Sequence, residues 1–214
     1  MLQLIMRIRI IFEKKQEMRY TGHLDLQRTW ERTLRRAQLS LAYSKGFNPR
    51  PRINLASPLP LGFTGKREIL DIWLEEELTI SEIEARISSS LPPGLAINQV
   101  YEVDKQEPAL QTQLEASEYV ITFLEPVDDL ESQINRLLNS SNIQRGRRGK
   151  AYDLRPLIHK LELIPKDESD RQRVFTRLSA KEGATGRPEE VASALDVPPQ
   201  NIMVQRVELI FSGT

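Results

Sequence analysis

Four arginines, Arg28, Arg32, Arg35 and Arg36, recur at spacings of four, three and one residues. At about 100° per residue, that spacing puts their guanidinium groups on one face of a helix. Leu26, Trp30, Leu34 and Ala37 fall on the opposite face. The sequence thus predicts a helix that packs through Trp30 and presents an arginine stripe. Arginine's planar fork suits phosphate oxygens, so the stripe has the chemistry of a phosphate-tracking surface. The competing reading is a solvated helix face with Glu31 and Arg35 as an i,i+4 ion pair.

The segment Ser44-Lys45-Gly46-Phe47-Asn48-Pro49-Arg50-Pro51-Arg52 adds Lys45, Arg50 and Arg52, an aromatic in Phe47, and prolines that stiffen it. Stacking on a base while neutralising its phosphate calls for this mixture of aromatic and basic side chains. From Arg19 to Arg52 the chain carries eight basic residues against Asp25 and Glu31, a surplus of six. A smaller basic run, Arg145-Gly146-Arg147-Arg148-Gly149-Lys150, precedes Tyr152 and Arg155. Its glycines let backbone amides approach an anion closely, and an ordinary basic hairpin or loop is the alternative. Asp71, Glu75, Glu76, Glu77 and Glu82 predict a second face of opposite sign, suited to a protein partner.

His23, in Tyr20-Thr21-Gly22-His23-Leu24-Asp25, sits where a helix begins. The amides and dipole there favour an anion, which makes His23 an anion-binding candidate; a plain capping turn is the alternative. An acid–base role would need Asp25 or Tyr20 beside it. Asp25 lies two residues on and shares no helix face with His23 unless the N-terminus bends. Gly183-Ala-Thr-Gly-Arg-Pro188-Glu-Glu is a helix start, with proline at the first position and acids in the first turn. It lacks the glycine spacing and lysine–hydroxyl pair of a phosphate loop.

The elements that must carry these residues follow from periodicity. Leu4 to Phe12 alternates as a strand, with Ile8, Ile10 and Phe12 on one face and Arg7 and Arg9 on the other. A helix from Thr21 to about Gln38, strands near Arg52–Ala56 and Glu68–Leu74, a helix from Ser81 to Leu91 and a strand from Leu95 to Val103 complete a first half. A polar linker is expected from Asp104 to Ser117. The second half repeats the order, with strands at Tyr119–Leu124, about Lys150–Ile164, Arg173–Ala180 and Met203–Phe211. Its helices are expected at Val127–Leu138 and Pro188–Leu195. The expectation is an α+β protein of two consecutive ferredoxin-like (split βαβ) halves with antiparallel sheets, divided at 1–108 and 109–214.

Lysine plus arginine equals aspartate plus glutamate at 30 each among 214 residues, so net charge favours no partner and only its distribution is informative. The absence of cysteine excludes disulfides, thiolate metal sites and a thiolate-bound iron–sulfur cluster within this chain. His23 and His159 are too few for a histidine metal site, so no cofactor is expected. No apolar run approaches the ~20 residues of a membrane helix. The chain is therefore expected to be cytoplasmic, away from membranes.

Several stretches together resemble a known family. These are Arg7-Ile-Arg-Ile10, Met18-Arg-Tyr-Thr-Gly-His-Leu-Asp-Leu-Gln-Arg28, Glu31-Arg-Thr-Leu-Arg-Arg-Ala37, Leu41-Ala-Tyr-Ser-Lys-Gly-Phe-Asn-Pro-Arg-Pro-Arg-Ile53 and Pro58-Leu-Pro-Leu-Gly62. They resemble the radical-SAM-linked protein family, a bacterial domain of unknown function. The likeness is strongest over residues 7–75 and continues through Tyr152-Asp-Leu-Arg-Pro-Leu157 and Gly186-Arg-Pro-Glu-Glu190. It implies a stand-alone partner of a radical-SAM iron–sulfur protein, which would supply the cluster this chain cannot ligate. It carries no catalytic residue. The element order is also similar to tRNA pseudouridine synthases and, at fold level, to CRISPR repeat-processing nucleases. The Arg-Thr-Asp-Ala-Gly motif of the synthases is absent, with the Lys45–Arg52 loop in its place.

The leading expectation is a non-catalytic adaptor for a radical-SAM enzyme. It would bind tRNA or rRNA through Arg28, Arg32, Arg35, Arg36, Lys45, Phe47, Arg50, Arg52, Arg145, Arg147, Arg148 and Lys150. The alternatives are an RNA-modifying or RNA-processing enzyme with an acid–base site near His23, and a structural subunit that binds no nucleic acid.

Overall fold

Alternation in the first strand decides how the N-terminal part folds. In the computed structural model, which describes residues 5–147 and 149–212, β1 spans Met6–Lys14. Ile8, Ile10 and Phe12 on one face are fully buried. They meet Leu26, Trp30 and Leu34 of helix α1, His23–Arg36, which are buried as completely. Phe12 and Trp30 pack edge to face with ring centroids 4.8 Å apart, a favoured aromatic geometry. The remaining elements are β2 (Ile53–Leu55), β3 (Phe63–Leu74), α2 (Ile80–Ser88), β4 (Leu95–Val103) and the short α3 (Leu110–Gln113).

β1 pairs with β3 and β4, and β2 pairs with β3, all antiparallel. In space, the four strands run fourth, first, third, second. α2 starts with a capping box in which Thr79 Oγ1 accepts from the Glu82 amide and the Glu82 carboxylate accepts from the Thr79 amide. The loop before β4 turns through Gly94 at φ 87°, where a Cβ would stand 2.6 Å from Met18 Cγ. Glycine is required there for both conformation and space.

The chain forms two compact units, the first ending at Gln113 and the second beginning at Leu114. The second unit contains β5 (Leu114–Phe123), α4 (Leu130–Asn139), the hairpin β6 (Gln144–Arg147) and β7 (Lys150–Asp153), and β8 (Ile158–Ile164). It continues with β9 (Arg173–Lys181), β10 (Ala184–Thr185), α5 (Pro188–Ala194) and β11 (Ile202–Phe211). β11 pairs with β5, β5 with β9 and β9 with β8, again antiparallel and again in the order fourth, first, third, second. Among the described residues, the β6–β7 hairpin pairs only with itself. The protein is α+β.

Two sequence expectations are corrected. The polar stretch from Asp104 to Ser117 is no free linker: it contains α3 and the beginning of β5, and its backbone is gripped by β1. The strand expected from about Lys150 to Ile164 is two strands, β7 and β8, separated by a turn at Arg155–Leu157. Among the described residues, no helix is long and apolar enough to cross a membrane.

Candidate nucleic-acid interface

α1 carries the arginine stripe as its periodicity requires. Arg28, Arg32, Arg35 and Arg36 are exposed, while Leu26, Trp30, Leu34 and Ala37 are buried. The four arginines differ in what they touch. Arg28 pairs with Asp25 at 3.2 Å, and Arg36 donates to the Ser90 carbonyl at 2.7 Å. Arg32 and Arg35 form no ion pair or side-chain hydrogen bond among the described residues, so the Glu31–Arg35 pair is not made. The centre of the stripe is free cationic surface.

Residues 42–52 form a short hairpin hung from the end of β3. The Ala42 amide donates to Trp73 O, the Arg52 amide to Ala42 O and the Ser44 amide to Arg50 O, at 2.7, 2.8 and 2.8 Å. Ser44 Oγ then accepts from the Arg50 amide at 3.0 Å, closing the base of the tip. Lys45, Phe47 and Arg50 project from this tip, and Phe47 is fully exposed. Burying such a ring on a ligand would gain the hydrophobic term that folding has left unused.

Arg52 lies elsewhere. Its guanidinium stacks on Trp73 at 4.5 Å from the ring centroid, and Arg7 lies at 5.2 Å from the same ring. Trp73 registers opposite Arg7, so both occupy the sheet face away from α1. Arg52 therefore does not extend the α1 stripe.

That opposite face holds a buried charge cluster. Arg7 and Arg9, expected on the face opposite Ile8, Ile10 and Phe12, are 2% and 8% exposed. Asp71, fully buried, accepts from Arg7 Nε and Nη2 at 3.0 and 2.6 Å and from Arg9 Nε and Nη2 at 2.8 and 3.0 Å. Arg9 also pairs with Glu107 at 3.1 Å, while Arg7 donates to the carbonyls of Asp104, Glu107 and Pro108. Burial works against the Arg9 charge, but the hydrogen bonds and charge of Asp71, with Glu107, outweigh it and hold its pKa above the ordinary value.

The acidic face expected near residues 68–84 is largely consumed by the fold. Asp71 is inside this network, Glu76 accepts from the Ser40 amide and faces Arg86, and Glu82 caps α2. Glu75 and Glu77 stay exposed.

His23 is the first residue of α1 and is partly buried. The turn ahead of it is fixed by Lys14, whose buried ammonium donates to the carbonyls of Thr21 and Phe63 at 2.9 Å and of Arg19 at 3.4 Å. Asp25 is engaged with Arg28, and Tyr20 is 75% exposed with the Arg19 guanidinium over its ring at 5.5 Å. The sequence points to Tyr20 only as an acid–base partner of His23 and not as an exposed aromatic surface. Its position beside Arg19 was the available signal.

In the second unit Arg145 lies on β6 and is partly buried. Arg148 lies outside the described residues, as do the side chains of Arg147 and Lys150. Among the described residues no cluster of three or more His, Asp or Glu could hold a metal ion.

The fold can be set beside solved structures. A Cbf5-Nop10-Gar1 complex matches with 11% identity and a TM-score of 0.49, over 94% of this chain and 48% of that one. The archaeal box H/ACA sRNP Nop10-Cbf5 complex matches with 11% identity and a TM-score of 0.46, over 94% and 47%. This chain thus spans about half the length of either. The acetolactate synthase small subunit from Thermotoga maritima matches with 12% identity and a TM-score of 0.28, over 97% and 95%. No curated protein matches in sequence. A family model matches over residues 7–188, and the chain belongs to that family, described as an uncharacterized protein conserved in bacteria (DUF2344).

Proposed function

We propose that this protein is an RNA-binding accessory protein, built from two ferredoxin-like halves, that presents RNA to a radical-SAM enzyme. The observation that carries the RNA part is the unpaired centre of the α1 stripe: Arg32 and Arg35, exposed and without acidic partners among the described residues. A fold with equal numbers of acids and bases has acids to spare for pairing, yet leaves these two open. Phosphate oxygens are the ligands that a row of free guanidinium groups recognises best. The hairpin tip with Lys45, Phe47 and Arg50 adds stacking and charge of the kind that single-stranded RNA uses. The radical-SAM partner rests on the family resemblance given above, and the missing cysteines are compatible with it.

Charge reversal tests the RNA part. Arg32→Glu with Arg35→Glu should weaken binding of a structured RNA such as bulk tRNA. It should also lower the slope of log affinity against log salt by roughly two, about one for each lost phosphate contact. An unchanged slope would remove α1 from the interface. Co-purification with a radical-SAM protein but without measurable RNA affinity would favour a structural subunit instead.

A further inference from the structure

The second unit contains a pocket of about 230 Å³ that the arginine stripe does not involve. Its walls come from α4 and the segment after it, the start of β6, the last residue of α5 and Asp196 just beyond. Arg136 and Arg145 supply positive charge, Asp196 supplies one carboxylate, and Gln133, Ser140 and Asn142 supply neutral hydrogen-bonding groups.

Two of these side chains bring buried atoms without partners. Gln133 Nε2 donates to the Asp128 carbonyl at 3.0 Å, which orients the amide and leaves Oε1 as a buried acceptor with no hydrogen bond. Arg145 Nη1 donates to the Gln144 carbonyl at 2.9 Å, while its Nε is buried and unpartnered. Buried polar atoms in folded proteins are nearly always satisfied, so a donor and an acceptor left unsatisfied on two residues that line one pocket mark that wall as polar and unfinished. The Arg136 side chain makes no ion pair among the described residues.

The frame is rigid. The Asp153 carboxylate accepts from the Ile143 and Arg155 amides at 2.7 and 2.9 Å, the Leu154 amide donates to Ile143 O at 2.9 Å, and Arg155 Nε ties down the Leu138 carbonyl at 3.0 Å. The base of the β6–β7 hairpin is therefore fixed to the end of α4 before anything binds.

We infer that this pocket binds a single nucleotide through its phosphate and one polar edge. The guanidinium groups of Arg136 and Arg145 take the phosphate, as their charge and fork geometry favour. A carboxylate within an otherwise basic pocket repels an anion and suits a hydroxyl or N–H donor, so Asp196 accepts from the ribose or base. The same chemistry is met in a free mononucleotide and in one residue of an RNA strand.

The test is titration of the isotope-labelled full chain with inorganic phosphate, the four ribonucleoside 5′-monophosphates and a ten-nucleotide single-stranded RNA, followed by backbone amide shifts. A mononucleotide should saturate shifts in residues 133–145 and 194–196 and bind at least tenfold more tightly than phosphate. Arg136→Gln with Arg145→Gln should lose at least tenfold in that affinity, and Asp196→Asn should weaken nucleotide but not phosphate. Dispersed spectra of the variants establish that they fold. The RNA shifting the same amides, with the same dependence on Arg136 and Arg145, would name the strand as source; shifts with mononucleotide alone would name the free nucleotide.

Phosphate binding as tightly as every nucleotide, or no saturable shift at these residues, would overturn the inference. Arg32→Glu with Arg35→Glu must leave mononucleotide binding unchanged, which separates failure here from failure of the α1 reading.

Discussion

Arg7 and Arg9 on β1 and Arg32 and Arg35 on α1 are the same chemical group put to opposite uses. The first pair is buried and shares the carboxylate of Asp71. The second is exposed and has no acidic partner among the described residues. A guanidinium taken out of water must be paired and hydrogen-bonded, and once it is, no ligand can reach it. One left in water retains its hydration and gives it up to whatever anion arrives. Counting basic residues along the sequence treats the two pairs alike; burial separates them.

The largest expected effect comes from breaking the buried set. Asp71→Ala leaves two buried guanidinium groups without their carboxylate and should destabilise the first unit by about 3–5 kcal/mol. Urea unfolding reads this as a lower midpoint, and a loss below about 1 kcal/mol would mean the cluster is solvated in solution.

Glu82 asks whether burial or hydrogen-bond number sets that cost. Its exposed carboxylate accepts from the Thr79 amide and hydroxyl at 2.9 and 2.8 Å, and these bonds, backbone first, hold its pKa below the ordinary carboxylate value. Because the folded pKa is depressed, this contribution is present above the unfolded pKa and is lost as pH falls through the folded one. Thr79→Ala should raise the Glu82 midpoint in an NMR titration and cost far less stability than Asp71→Ala. Comparable losses would make hydrogen-bond number the deciding factor.

Arg52→Ala removes an exposed guanidinium from the Trp73 face and should cost about 0.5–1 kcal/mol by thermal unfolding. Smallest of all, Arg32→Glu with Arg35→Glu should leave stability within about 0.5 kcal/mol of wild type. A larger loss would show that the stripe contributes to the fold and would undercut the binding role.

The sequence made α1 legible because a 3.6-residue period with four arginines opposite Trp30 has one folded solution. β4 was read to its observed ends, since Pro92-Pro93-Gly94 stops the helix ahead of it. What alternation cannot tell is whether the second face of a strand is covered. Alternation puts Arg7 and Arg9 on the correct face of β1, but their burial depends on Asp71 and on residues 104–108, far away in the chain. Arg52 was grouped with the α1 arginines by proximity in sequence, and the cross-strand position of Trp73 draws it to the other side. The pocket around Arg145 is not legible in the sequence because Arg136 and Asp196 reach it from separate segments, each unremarkable by itself.

The grip of Arg7 on the carbonyls of residues 104–108 also bears on how the protein is made. β1 is synthesised before these partners and acquires the last of them about a hundred residues later. At about 5–20 residues per second, this is roughly 5–20 s of synthesis. Through that interval a strand whose inner face is isoleucine and phenylalanine stands with an unsatisfied cationic back. Charge flanking an apolar strand is what opposes its aggregation, so the same arginines that the fold later buries would serve the unfinished chain as gatekeepers until Asp71 and residues 104–108 follow.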